Sequence, residues 1–325
     1  MTEAAENIVG GGEEMFPEKP VVAIIGTGAM GGVYAGLFAE AGIRVIAIDT
    51  WAQHIEVIKD QGLHLSGVSG DRIITGITAS TDITAAKEAD LFVIATKASG
   101  VGAAAEAIAK MARPEAVILT IQNGLGSADR IAQFMPTDQV LVGVAEGFGA
   151  SIVKPGHIHH NNMRQIRIGE ISGGMTPRLQ ALEHLWQSAG FKATAFADIN
   201  QLIWEKYICN VMLSAPCTVF DCAVGELFSH PEWREIALNT MLEAYHIGVA
   251  KGVNFSFDDP VAYATAFAKG IPAASPSMRL DHQAKRRSEI DAINGMVSVL
   301  GKEMGIPTPY NQVLSAEVRR REDAF

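Results

Sequence analysis

Cysteine is scarce in this chain of 325 residues. The three that occur, Cys209, Cys217 and Cys222, are odd in number and lack Cys-x-x-Cys spacing, which excludes a disulfide scaffold or a zinc ribbon. They fall in an apolar stretch, so buried free thiols in a reducing compartment are expected, not a reactive nucleophile. Long apolar runs are lacking too. Val21–Ile25, Leu91–Ala95 and Ala116–Leu119 all fall far short of the ~20 residues that span a bilayer, so no membrane partner is expected. Basic residues are outnumbered, 26 against 36 acidic ones, and a net charge of −10 repels phosphate backbones, so nucleic acid is not expected as a partner. Aromatic residues make up only 7% of a chain that is 48% hydrophobic, so the core is aliphatic and large enough for two domains of ordinary size. A cytoplasmic protein is the expectation. Monomer and homodimer are both left open.

Residues 1–19 carry five glutamates against a single lysine and include Gly10-Gly11-Gly12. Such a segment buries too little apolar surface to offset its ordering entropy, so a flexible leader is expected, without the basic or apolar pattern of a signal peptide. From residue 20, short apolar strands alternate with helical segments. Val21–Ile25, Arg44–Ile48, Leu91–Thr96, Ala116–Ile121 and Val140–Val144 read as strands; Ala29–Ala41 and Val101–Met111 read as helices. Near-continuous apolar strands in this alternation predict a parallel sheet covered on both faces. Ile152–His160 and Arg164–Ile168 read as an antiparallel pair, followed by a helix over Pro177–Ala189 and a strand over Lys192–Ala197. Beyond Asp198, a helix cap with Gln201 at the capping-box position, the segments 199–229, 233–251, 258–269 and 280–304 read as helical. The expected architecture is α/β, with a Rossmann-type doubly wound sheet over residues 20–197 and an all-helical substrate and catalytic domain over 198–325.

The first strand runs directly into Gly26-Thr27-Gly28-Ala29-Met30-Gly31, where a helix opens. A Gly-x-Gly-x-x-Gly turn between strand and helix in a βαβ unit is a dinucleotide site: Gly26 permits the turn, Gly28 lets backbone approach a pyrophosphate, and Gly31 lets helix pack on strand. The second strand ends at Asp49, placed to meet the adenosine ribose hydroxyls and to repel a 2′-phosphate. NAD is therefore favoured over NADP. Thr50 and Trp51 offer no phosphate clamp, and His54 is expected to be solvated. His157, His159 and His160 lack a carboxylate or cysteine partner in their neighbourhood, and no metal is expected. Arg286-Arg287 reads as a solvated helix face.

Gly26–Gly31, Thr96-Lys97-Ala98, Gln122-Asn123-Gly124, Lys206-x-x-x-Asn210, Gly225-Glu226-Leu227 and Ser277-Met278 to Glu289-Ile290-Asp291 follow one another in an order that resembles the ketopantoate reductase (2-dehydropantoate 2-reductase) family, from about residue 21 to 320. The resemblance implies a Rossmann domain, a helical domain and an active site between them. It implies Lys206 as proton donor and Glu289 as a residue that holds substrate and influences that lysine. Asn123 would sit near the nicotinamide, Asn210 and Ser277 would contact a small 2-keto acid, and Lys97 would lie by the cofactor phosphates. The chemistry agrees, because reduction of a 2-keto acid needs a proton delivered to the carbonyl oxygen, and an ammonium both stabilises the growing alkoxide and supplies that proton. Lys206 and Asn210, four residues apart on a helix, share one face.

Where family members commonly place further asparagines, this chain has Ser214, Ala274 and, at a variable position, Val224. Each change shortens or removes a donor that ketopantoate would meet. In place of the arginine of NADP-using members, Thr50 follows Asp49. The expected reaction is reduction of a branched 2-keto acid to a D-2-hydroxy acid, nominally ketopantoate to pantoate. An NAD-dependent D-2-hydroxyacid dehydrogenase of bulkier or aromatic acids is the alternative. A 3-hydroxyacid dehydrogenase, which also uses a Gly-x-Gly-x-Met-Gly turn and a Lys-x-x-x-Asn pair, is a lesser alternative because its glycine-rich serine segment is missing, and a non-catalytic nicotinamide sensor would need neither Lys206 nor Glu289.

Overall fold

A computed structural model describes residues 16–325. Its strands are β1 (Val21–Ile25), β2 (Arg44–Ile48), β3 (Leu63–Gly67), β4 (Arg72–Ile74), β5 (Thr78–Ser80), β6 (Leu91–Ile94), β7 (Val117–Thr120), β8 (Val140–Lys154), β9 (His157–Glu170) and β10 (Ala193–Ala195). The helices of the sheet region are α1 (Ala29–Glu40), α2 (Ala52–Gln61), α3 (Val101–Ala109), α4 (Ser127–Ala132) and α5 (Pro177–Ser188). An all-helical C-terminal region follows, with α6 (Ile199–Val219), α7 (Val224–Ser229), α8 (Pro231–Ala250), α9 (Pro260–Gly270), α10 (Ser277–Gln283), α11 (Asn294–Met304) and α12 (Pro309–Glu322).

The strands form one sheet in the order β4-β3-β9-β8-β7-β6-β1-β2-β5, with β10 paired to β9. From β8 to β5 every pair is parallel. The strands alternate between two cores, as a sheet covered on both faces requires: Val22 and Ile24 join one cluster, Ala23 and Ile25 the other. The first core is closed by Tyr34, Phe38, Trp186 and Phe191, whose rings meet edge to face or tilted at 4.7–5.9 Å. Each fully buried side chain of this size contributes ~1.5–3 kcal/mol. A third core lies among the C-terminal helices, built around α6, most of whose residues are buried on every side. Asp198 caps α6 by accepting from Gln201 N at 3.1 Å, as the capping-box reading expects.

Several expectations need correction. The antiparallel pair is longer than expected and turns elsewhere: β8 runs unbroken from Val140 to Lys154, and the chain reverses at Pro155-Gly156. Register irregularities at Gly149/Ala150 and Ile152/Lys154 hide the period-two pattern that would have marked one long strand. The short strands β3, β4 and β5 and helix α2 lack long apolar signatures in sequence; they close one edge of the sheet and the margin beside β2. The helical stretch expected over 199–229 breaks after Phe220, where Asp221 takes φ +49°. That expected over 280–304 breaks at Lys285, φ +51°, so Arg286 and Arg287 lie in irregular backbone after the break and not on a helix face. Of the expected leader, residues 1–15 lie outside the described residues, whereas Phe16 packs against the first core.

At Gly31 an added Cβ would lie 2.0 Å from the Gly26 carbonyl oxygen, with no flexible side chain to give way. Gly31→Ala is expected to cost about 1–3 kcal/mol through forced separation of α1 from β1. In a thermal melt the midpoint should fall by roughly 5 °C.

Candidate active site

The sheet reverses its winding between β1 and β6, and the crevice at their carboxyl ends is where such sheets bind ligands. Gly26 takes φ +90° there, and an added Cβ would lie 2.7 Å from Thr96 N, so the two strand-end loops approach each other backbone to backbone. Gly26 N and Thr27 N both donate to Ile48 O, at 2.8 and 3.1 Å, and the buried Thr27 hydroxyl donates to the same carbonyl at 3.1 Å. Gly28 is different: an added Cβ would meet nothing within 4 Å. The start of α1, from Ala29 and Met30 to Gly31, carries no capping side chain and no acidic residue, so its first N–H groups and the open face of Gly28 suit a pyrophosphate.

His54 overturns the expectation of a solvated side chain. It is fully buried; Nε2 donates to the Thr27 carbonyl at 2.9 Å, and Nδ1 accepts from Gly156 N at 3.0 Å. Burial holds its pKa below the usual histidine value, so the ring is a neutral brace between the glycine turn and the β8–β9 reversal. Its distance along the sequence from both partners is why it went unread. At the end of β2, one oxygen of Asp49 accepts from Trp51 N at 2.9 Å, and Thr50 is exposed.

Lys97 reaches across to the C-terminal helices, donating to Asp281 Oδ2 at 3.1 Å and to the Arg287 carbonyl at 3.3 Å. Asp281 also holds Arg286, through Nη2 at 2.8 Å, while that arginine stays largely solvent-exposed, as expected. Next to Lys97, Ala98 N donates to Glu289 Oε1 at 3.0 Å. Three hydrogen bonds therefore tie the loop after β6 to the segment 281–289.

Lys206 projects from α6 toward the sheet. Its ammonium donates to Asn123 Oδ1 at 2.9 Å and to the Ala145 carbonyl at 2.7 Å, both uncharged acceptors. Glu289 makes no hydrogen bond to it. Burial pushes the Lys206 pKa down to about 8, against the opposing pull of the Glu146 and Glu289 carboxylates. Glu146, adjoining Ala145 on β8, escaped the sequence reading; a lone acid in an otherwise apolar and glycine-rich strand was the available signal.

Two cavities meet at Asn123 and Asn210. One, of about 250 Å³, is lined by Lys206; the other, of about 130 Å³, is lined by Ser214 and Ser277. The structure thus brings Asn123, Lys206, Asn210, Ser214 and Ser277 around one divided cleft and leaves Glu289 at its margin, on the Ala98 amide. Ala274 and Val224 also line the smaller cavity, together with Leu213, Phe267 and Ile271.

Residues 22–173 match the family described as ketopantoate reductase PanE/ApbA, and residues 198–322 match its C-terminal part. The chain belongs to the ketopantoate reductase family. It is accordingly an NAD(P)-dependent oxidoreductase acting on a CH–OH group. A 2-dehydropantoate 2-reductase of Streptococcus pyogenes is 29% identical over 303 residues, 93% of this chain and 98% of its own. A PanE/ApbA family ketopantoate reductase from Ralstonia eutropha has a similar crystal structure, with TM-score 0.85, 30% identity, and coverage of 94% of this chain and 99% of that one. D-mandelate dehydrogenase in ternary complex with NADH and anilino(oxo)acetate is similar at TM-score 0.83 and 25% identity, covering 94% of this chain and 99% of that one. Among the described residues, no helix is long and apolar enough to cross a membrane.

The open space at Gly28 separates binding from folding. Gly28→Ala is expected to melt within about 2 °C of the parent, yet to weaken nicotinamide cofactor binding by about tenfold, a ~1.4 kcal/mol effect. Fluorescence titration with NADH and NADPH checks the second outcome and a thermal melt the first.

Proposed function

We propose that this enzyme reduces a branched 2-keto acid to the D-2-hydroxy acid, nominally 2-dehydropantoate to pantoate, with Lys206 as general acid. Residues 20–197 would bind the cofactor, and 198–325 would supply the substrate and catalytic side chains. The observation that carries this reading is the Lys206 ammonium, poised beside a cavity on two neutral acceptors. An ammonium has three donors. Two are engaged by Asn123 and Ala145, which leaves one for a substrate carbonyl oxygen.

The glycine turn would hold the cofactor's pyrophosphate, and the nicotinamide, when bound, would supply the hydride. Everything else falls to the chain. Lys206 stabilises charge growing on the carbonyl oxygen and delivers the proton there. Asn123 and the Ala145 carbonyl fix the direction of the ammonium, and Asn210, one helical turn along α6, borders the same cleft. Ser214 and Ser277 offer short donors for the substrate carboxylate in the smaller cavity. Glu289 contributes field strength at Lys206 and joins the two sides of the cleft through Ala98. For the cofactor, a carboxylate at the end of β2, Asp49, would repel a 2′-phosphate and so favour NAD; Asp49→Ala should narrow the NADH-over-NADPH ratio of kcat/KM, and an unmoved ratio removes Asp49 from the site.

A second reading has its own support. Leu213, Val224, Phe267, Ile271 and Ala274 give the smaller cavity an apolar wall, and D-mandelate dehydrogenase is among the similar structures. Both point to bulkier or aromatic acyl chains. Restoring donors with Ser214→Asn and Ala274→Asn together should raise kcat/KM for ketopantoate relative to an apolar-chain 2-keto acid by ~10-fold, the size of one recovered polar contact. A parallel steady-state screen of 2-keto acids with NADH and NADPH measures this. A ratio that stays put places the acyl chain elsewhere.

Lys206→Ala is expected to lower kcat by ~10²–10⁴-fold, the usual range for a general acid, while cofactor affinity stays nearly unchanged. Because the proton must be on Lys206 for reduction, kcat should hold steady below a pH of about 8 and fall above it. Oxidation of the hydroxy acid, which needs the neutral amine, should rise through the same pH. Turnover that survives Lys206→Ala sinks the mechanism.

A further inference from the structure

Glu146 stands directly after the residue whose carbonyl holds Lys206. In the ladder between β8 and β9 it pairs with Gln165, which puts it on the same sheet face as Arg167, the diagonal neighbour. Arg167 Nε approaches Glu146 Oε1 to 3.6 Å, and both side chains are only 27% exposed. The guanidinium in turn lies over the Phe196 ring, 5.7 Å from its centroid. A carboxylate paired with a cation of the neighbouring strand β9 therefore lies on the strand that carries Ala145, and Lys206 reaches that strand from α6.

The family resemblance gives the tuning of the lysine to Glu289. The geometry divides that task differently, since Glu289 Oε1 accepts from Ala98 N and so serves the join between the sheet and the segment before α11. Glu205, the acid preceding Lys206 on α6, is also engaged elsewhere, accepting from Gln201 Nε2 at 3.1 Å and from Ser256 N at 2.8 Å. Of the other ionisable groups, Tyr207 lines the larger cavity with Lys206 and is kept neutral by burial, Asp129 and Lys251 along it are of opposite sign, and Tyr263 from α9, also kept neutral by burial, lies in the field of Glu146 and Arg167. Glu146 is the carboxylate whose backbone position is set by the same strand that receives the Lys206 hydrogen bond.

We propose that Glu146, anchored by Arg167, is a positioning residue for the reaction, holding Lys206 in its ammonium form against the Ala145 carbonyl. This rests on Lys206 being the proton donor. The carboxylate touches neither substrate nor cofactor; it acts through the lysine. Without it, a partly buried ammonium on two neutral acceptors loses its proton at lower pH.

The test compares the full-length enzyme with Glu146→Gln and Glu146→Asp. In Glu146→Gln the alkaline limb of kcat for reduction should move down by about one pH unit, a tenfold change in the proton equilibrium, with NADH affinity unchanged. Glu146→Asp, which keeps the charge, should restore most of the limb. A direct readout that needs no turnover is cyanate carbamylation of Lys206 followed by peptide mass spectrometry. At pH 7 the Glu146→Gln protein should react about fivefold faster, as the neutral amine becomes more populated. If limb and carbamylation rate both stay at parental values, the inference is overturned, and so it is if Glu146→Asp behaves like Glu146→Gln. The two readings fail separately. Loss of turnover in Lys206→Ala with no effect of Glu146→Gln removes only Glu146, whereas full turnover in Lys206→Ala removes the lysine and this inference with it.

Discussion

The Lys206 ammonium, held by the side chain of Asn123 and the carbonyl of Ala145, is the contact on which the cleft depends. Three elements meet in it: the loop after β7, the strand β8, and α6, the central helix of the C-terminal region. Removing a charge from water without a counter-ion in hydrogen-bond contact is costly, and the two carboxylates in range compensate only in part. The cost appears as the lowered pKa of the lysine. A direct salt bridge would have been more stabilising, but it would also have used up the third donor and raised the pKa away from neutrality. In the proposed reaction, stability would be given up at this point for a proton that can leave.

The other half of the cleft is built by close approach and not by charge. Gly26 brings the backbone of the first turn against Thr96, Gly31 brings α1 against Gly26, and His54 ties Thr27 to the reversal between β8 and β9. The result is a rigid turn with one open face, at Gly28. Because β8 begins as a neighbour of β7 and ends at that same reversal, one continuous strand runs from the site of Lys206 to the brace of the glycine turn. A displacement of β8 would therefore be felt at both the glycine turn and Lys206. This gives a physical reason for a single strand of 15 residues where the sequence suggests two short ones.

What the sequence disclosed followed from how local each signal was. The parallel core strands, the glycine turn and the cap at Asp198 are readable because a few adjacent residues decide them. The family motifs carried Asn123, Lys206, Asn210, Ser214 and Ser277 to one cleft, although they are scattered along the chain. His54, Glu146 and Asp281 were not readable as site residues, since each takes its meaning from partners supplied by a distant strand or helix. The breaks at Asp221 and Lys285 were missed because helical composition continues through them, while the backbone takes positive φ at both. Glycine or asparagine at either place would have announced the turn.

The placement of Lys97 shows how far a motif can fix position without fixing contact. Its sequence context puts it at the carboxyl end of β6, beside the glycine turn, and the fold agrees. Yet its ammonium is engaged by Asp281 and the Arg287 carbonyl, and Asp281 is already paired with Arg286. Half of the lysine side chain remains solvent-exposed. Exposed ion pairs of this kind are worth ~0–1 kcal/mol, whereas a phosphate oxygen offers a stronger, charge-assisted partner. Under the proposed function the lysine would exchange Asp281 for a cofactor phosphate at small cost, because Arg286 would stay behind to neutralise the aspartate. The hydrogen bond from Ala98 to Glu289 involves the neighbouring backbone and not the lysine side chain, so it can keep the two sides of the cleft joined through such an exchange.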